Sequence, residues 1–135
     1  MASKLSELNA AFSRASETAH CLSSAGFEIN ADEIANRNIE GLVLILAEGA
    51  STLFRAYDNS FHEVTKEQLD TMRKEIVINS QWLYQAKWTV ENQVESAETI
   101  EALEAIVITA EALTTLANSL EDAENPEGKT NGQTM

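Results

Sequence analysis

Apolar residues recur at helical spacing in four stretches of this chain. Leu5, Leu8, Phe12, Ala15, Ala19 and Leu22 follow one another in alternating steps of three and four. That spacing puts side chains on one face of an α-helix. It predicts a helix over 3–23, with Ser3 as N-cap and Gly26 beyond its end.

The second stretch opens on Asn30, with Glu33 three residues later, a variant of the capping box. Ala35, Ile39, Leu42, Leu46, Leu53 and Tyr57 mark one face and predict a helix over 31–58. Val43, Leu44 and Ile45 carry the apolar surface almost all the way round its centre. A helix apolar on most sides is buried on most sides, so this one is expected at the centre of a bundle or against a second copy. Gly41 and Gly49 weaken it but permit close packing.

Thr65 and Gln68 form a second capping box. Leu69, Met72, Ile76, Leu83, Ala86, Val90 and Val94 then share a face, which predicts a helix over 65–95 with Asn79 interrupting the seam. Leu103, Ile106, Ala110, Leu113, Ala117 and Leu120 predict a fourth helix over 99–121. The junction between the last two holds no glycine or proline, only Glu95-Ser96-Ala97-Glu98-Thr99. Ser96 or Thr99 can cap a new helix. Equally, one helix can run from Thr65 to Leu120, roughly 84 Å at 1.5 Å per residue. The seam slips by one position between Val90 and Leu103, which favours the break.

The expected fold is therefore all-α: an antiparallel four-helix bundle over 1–121, with a dimer built on a long third helix as the rival. Residues 122–135 turn polar and hold Pro126, Gly128 and Gly132, so a disordered acidic tail is expected there. No internal repeat of useful strength is visible.

Composition narrows the function. The chain has 135 residues, a one-domain length, and 44% of them are apolar, which excludes wholesale disorder. The longest strongly apolar run, Leu42 to Ala47, is far too short to cross a bilayer. The N-terminus carries no apolar signal segment, and the single cysteine, Cys21, points to a reducing compartment. A cytoplasmic protein that does not enter membranes is expected.

Charge is lopsided. Up to residue 87 the chain holds twelve acids and eight bases; after it come ten acids and only Lys129, within a net charge of −13. The basic residues are scattered, so direct binding to nucleic acid is disfavoured. A basic partner fits better.

Candidate chemistry is sparse. Glu17-x-x-His20 has the spacing of a carboxylate–histidine metal pair, but His62 lacks the second such pair, so no metal or other cofactor is expected. His20 and Cys21 are adjacent, and neighbours on a helix point about 100° apart. Cys21 reads as a small buried hydrophobe rather than a nucleophile. No glycine-rich phosphate loop is present. A non-enzymatic protein is expected.

Two constellations suit partner binding. Trp82, Tyr84 and Trp88 crowd one helix, which means either edge-of-core packing or an aromatic hot spot. Glu95, Glu98, Glu101 and Glu104 are spaced by three, with Glu91 before them. Such a row is either a solvated helix face or a rigid line of carboxylates resembling a nucleic-acid backbone in charge. The expected function is an acidic interaction protein, of the type of a phage or mobile-element accessory protein, that regulates or inhibits a basic nucleic-acid-binding partner by charge mimicry. The alternative is a cytoplasmic secretion-type chaperone or assembly adaptor that holds an amphipathic segment in an apolar groove. A homodimer accompanies either.

Overall fold

Two antiparallel β-hairpins interrupt the helices, so the all-α bundle expectation fails. The computed structural model describes residues 2–124. In chain order the elements are α1 (Ala2–Glu17), β1 (His20–Leu22), β2 (Glu28–Asn30), α2 (Glu33–Ile45), β3 (Ser51–Arg55), β4 (Phe61–Thr65), α3 (Lys66–Ser96), α4 (Ile100–Glu104) and α5 (Ala110–Glu124). The chain divides into two units. One comprises Met1–Ala15 with Gln81–Met135, the terminal unit; the other is Ser16–Ser80, the central unit.

In the central unit both hairpins turn in the same way. Ser23 N–H donates to Phe27 O and Gly26 N–H to Ser23 O, at 2.9 and 3.0 Å. Ala56 N–H donates to Ser60 O and Asn59 N–H to Ala56 O, at 2.8 and 2.9 Å. Each loop needs one left-handed residue before the return strand. Gly26 fills that position at φ +105° and Asn59 at φ +71°. Gly26 is thus a hairpin residue and not a helix stop.

The hairpins explain where the helix expectations went astray. The predicted 3–23 helix ends at Glu17; Ala19 packs against the central unit's core, and Leu22 lies exposed on β1. The predicted 31–58 helix ends at Ile45. After it, Leu46 takes an extended conformation and Gly49 a left-handed one. From Ser51 the burial alternates with period two: Thr52 and Phe54 turn inward, while Ser51, Leu53 and Arg55 turn outward. Leu46, Leu53 and Tyr57 matched the helical spacing by coincidence. Asp32, not Asn30, stands at the N-cap of α2.

The core of the central unit consists of Ile29, Ala31, Ile39, Val64, Leu69, Met72 and Ile76. It therefore takes one residue from β2, one from the link before α2, one from α2, one from β4 and three from the first turns of α3. Removing a side chain such as Ile29, fully buried here, costs about 2–5 kcal/mol.

The terminal unit is helical. Leu8, Ala11 and Ala15 of α1, Leu83, Ala86, Val90 and Val94 of α3, and Ala110, Leu113 and Ala117 of α5 form its core. The predicted 65–95 helix is present as α3, with the capping box in place: Thr65 N–H donates to Gln68 Oε1 at 2.9 Å and Gln68 N–H to Thr65 Oγ1 at 3.1 Å. The junction breaks, as the slipped seam favoured. Thr99 caps α4 by accepting from Ala102 N–H at 3.0 Å. The predicted 99–121 helix is then split. Five residues separate α4 from α5, and Thr109 caps α5 through Ala112 N–H at 3.0 Å. Asp122 to Glu124 continue α5, against the expected tail; the remainder of that tail lies outside the described residues.

Candidate interaction surfaces

The five carboxylates of the predicted row occupy the terminal unit. Glu91 and Glu95 sit near the end of α3, Glu98 in the connection, and Glu101 and Glu104 on α4. All but the half-buried Glu91 are exposed. The break at Ala97–Thr99 removes the straight rod that a continuous helix would have made of them. Among the described residues none of the five forms an ion pair. Cations near by are engaged elsewhere: Lys4 Nζ donates to Ile106 O at 3.1 Å, and Lys87 Nζ lies 4.9 Å from the Phe12 ring centre. Four acids of the central unit differ. Glu33, Glu40, Glu48 and Asp70 all lie within 4.0 Å of Arg37, Lys66, Arg73 or Lys74.

The predicted aromatic trio is only partly assembled. Trp82 is half-buried and packs against the core of the terminal unit. Tyr84 and Trp88, one helical turn apart, stand together with ring centres 5.7 Å apart, and both are exposed. Residues two apart on a helix point about 200° apart, so Trp82 cannot join them. Their third ring is Phe12 of α1, 4.8 Å from Tyr84. Phe12 belongs by its spacing to the α1 seam, and no spacing rule within α3 could bring it to this cluster.

In the central unit the two hairpins hold each other by reciprocal stacks. His20 of β1 lies on Tyr57 of the second loop, ring centres 4.0 Å apart. Phe27 of the first loop lies on His62 of β4, also at 4.0 Å. Tyr57 N–H donates to Glu28 O at 2.9 Å. His20 Nδ1 is 2.7 Å from Glu28 Oε1. Glu17 ends α1, so the Glu17-x-x-His20 spacing never forms a helical pair. Among the described residues no three His, Cys, Asp or Glu side chains converge as metal ligands.

Asp58, Ser60 and His62 form the most enzyme-like arrangement present. Ser60 Oγ donates to Asp58 Oδ1 at 2.5 Å and lies 2.9 Å from His62 Nε2. A hydroxyl has one proton, so its bond to Asp58 leaves it to accept from His62 Nε2–H. In nucleophilic catalysis the imidazole stands between carboxylate and hydroxyl and takes the hydroxyl proton. Here the hydroxyl stands in the middle and the imidazole is a donor. The arrangement braces the second loop and does not activate a nucleophile. Ser60 also lowers the pKa of Asp58 from 3.8, through its hydroxyl first and its N–H second.

Cys21 is half-buried on β1 beside the central core. One open surface depression is lined by Glu40, Arg73, Lys74, Val77 and Ile78. Two large apolar side chains stand out at the end of α2: Leu44 is 84% and Ile45 78% exposed. Among the described residues no helix is long and apolar enough to cross a membrane.

Residues 1–110 match the family model described as Domain of unknown function (DUF4376), and the chain belongs to that family. The match takes in both hairpins, α2, α3 and α4, and stops where α5 begins. No curated protein and no solved structure matches the chain.

Proposed function

We propose that the chain is a non-enzymatic interaction protein of the reducing cytoplasm that engages a basic protein partner through its terminal unit. Glu91, Glu95, Glu98, Glu101 and Glu104 make the contact. The observation that supports this is the unpaired state of all five carboxylates, among the described residues, on a unit whose Lys4 and Lys87 are occupied elsewhere. Uncompensated like charge raises the potential around a surface and steers a basic partner to it. The bend at Ala97–Thr99 directs the reading toward charge density and away from a strict copy of duplex geometry. The partner's own nucleic-acid-binding surface is the site the acids would occupy. Exposed Tyr84 and Trp88 supply apolar anchoring beside the charge.

The test uses partners captured by the intact protein and a lysine-rich peptide as a defined probe. Reversal of Glu98, Glu101 and Glu104 to lysine is expected to abolish binding of both. Binding by the native chain is expected to weaken steeply with salt. Unchanged binding by the reversed chain would overturn the proposal.

A second reading is favoured by Leu44 and Ile45, whose exposure exceeds what an isolated helix end needs. In it the chain is an adaptor that holds an amphipathic segment of another protein against α2. Partner binding would then survive both salt and the glutamate reversals, and would fail when Leu44 and Ile45 become serine.

A further inference from the structure

The pairing of β3 with β4 leaves one edge of β3 open. The register sets Ser51 opposite Thr65, Leu53 opposite Glu63 and Arg55 opposite Phe61. Lys66 N–H donates to Ala50 O and Ala56 N–H to Ser60 O. Antiparallel strands exchange hydrogen bonds at every second pair. The bonded positions on this strand are therefore Ala50, Thr52, Phe54 and Ala56. The peptide groups of Ser51, Leu53 and Arg55 face the other way, and among the described residues no backbone group outside the hairpin meets them. Further along the same edge, Tyr57 N–H is already taken by Glu28 O, which closes the template after Arg55. The other strands offer less: β1 and β2 have three residues each, and Thr65 N–H of β4 is held by Gln68.

An open strand edge is normally blunted by proline, lysine, a bulge or a covering segment. Ser51–Arg55 holds no proline or lysine. Its outward face instead carries Leu53, 65% exposed, with Phe61, 61% exposed, diagonally across on β4. Glu63 on that face is held by Ser51 Oγ at 2.7 Å.

We propose that this edge binds a second copy of this chain. The two β3 strands run antiparallel about a two-fold axis at Leu53, making one four-stranded sheet. Ser51, Leu53 and Arg55 then meet Arg55, Leu53 and Ser51 of the partner subunit, and their free peptide groups form about six hydrogen bonds. Side chains fit the same register. Leu53 packs on its own counterpart. Arg55 uses its Nε for Asn59 Oδ1, at 3.0 Å, and brings its other two guanidinium nitrogens opposite Ser51 of the partner subunit, which holds Glu63 of the partner subunit in place. Two Arg55–Glu63 pairs related by symmetry therefore flank the apolar centre. A two-fold interface must be self-complementary in this way, and that complementarity in charge selects a second copy over an unrelated extended peptide. β3 belongs to the central unit and the five carboxylates to the terminal unit, so the two proposals use different residues and either can fail alone.

Sedimentation of the full chain across a range of concentrations tests it. The native protein is expected to pass from monomer to dimer, and a monomer throughout would overturn the proposal. Leu53→Pro removes an outward N–H and none of the hairpin's own hydrogen bonds, and Leu53→Lys places a charge on the axis. Each is expected to abolish the dimer while circular dichroism stays native, and a persisting dimer in the folded Leu53→Lys protein would overturn it. The decisive comparison uses Arg55→Glu and Glu63→Arg. Alone, each sets like charges face to face and is expected to be monomeric. Mixed, the two variants restore both ion pairs and are expected to form a one-to-one dimer. Single variants that still dimerise, or a mixture that does not, would overturn this register and leave the edge to another occupant.

Discussion

The imidazole of His62 lies flat on the ring of Phe27, with centres 4.0 Å apart and planes 7° from parallel. Phe27 belongs to the first hairpin and His62 to the second, so the contact ties together segments thirty-five positions apart in sequence. Phe27 also leans on Phe54, 6.1 Å away. Phe27→Ala is expected to destabilise the central unit by about 3 kcal/mol, in the range for a largely buried aromatic. His62→Ala removes the stack and the donor to Ser60, for a loss of about 1 kcal/mol. A double-mutant cycle read by denaturant unfolding should return a coupling of about 0.5–1.5 kcal/mol. A coupling of zero would mean that the rings merely share space.

Glu75 of α3 pins the first loop to the helix. Its carboxylate accepts from the Ser23 hydroxyl at 2.7 Å and from the Ser24 N–H at 2.8 Å. Ser23 is only 3% exposed, so its hydroxyl has little access to water. Glu75→Ala is expected to cost roughly 1–3 kcal/mol, the penalty for leaving such a group unpaired. Glu75→Gln keeps one acceptor and should lose less. Amide exchange at Ser24 should accelerate in both variants, and more in the alanine one. Equal losses in the two would show that the contact is packing and not hydrogen bonding.

How much of this was legible in the sequence depended on how local each signal was. α3 was read to within a residue at each end because its cap lies in Thr65 and Gln68 and its seam repeats seven times. The split at Ala97–Thr99 showed as a one-residue slip. The hairpins were missed although their marks were present. Ser-Ser-Ala-Gly and Tyr-Asp-Asn-Ser are turn sequences, and Thr52, Phe54 and Ala56 alternate with Ser51, Leu53 and Arg55. Helical spacing tolerates steps of three and four, so short strands can be absorbed into a long seam. The aromatic cluster was half legible. Tyr84 and Trp88 share a face by spacing alone, while Phe12 arrives through tertiary packing that no local rule encodes.

Asp58 links stability to acid. Its folded pKa is lowered from 3.8, chiefly by the Ser60 hydroxyl and then by the Ser60 N–H. A lowered folded pKa means that the unfolded chain binds the proton more readily, so stability rises with pH through this window. The contribution is fully present above the unfolded value and is lost as pH falls below it, through the folded pKa. In Asp58→Asn this acid-dependent component should vanish, leaving a shallower decline below pH 3.8. Carbon-detected NMR titration of the Asp58 carboxyl is the direct check. A midpoint at or above 3.8 would contradict the assigned hydrogen bonds.

Glycine-to-alanine changes should act with opposite signs at two positions. Gly26 has φ +105° and closes the first hairpin, a conformation that strains any residue with a Cβ. Gly26→Ala should therefore destabilise the central unit by at least about 1 kcal/mol. Gly41 sits inside α2, is exposed, and has nothing within 4 Å of where a Cβ would stand. Its backbone is already helical, so alanine adds no clash and reduces the freedom of the unfolded chain. Gly41→Ala is expected to stabilise by about 0.5–1 kcal/mol. The pair also bears on the expected dimer through α2. Had Gly41 been retained for close approach of a second copy, its alanine variant would stabilise the monomer while weakening self-association. If association runs through β3 instead, Gly41→Ala should leave the dimer constant unchanged while the unfolding midpoint rises. Sedimentation and denaturation of the one variant separate the two cases.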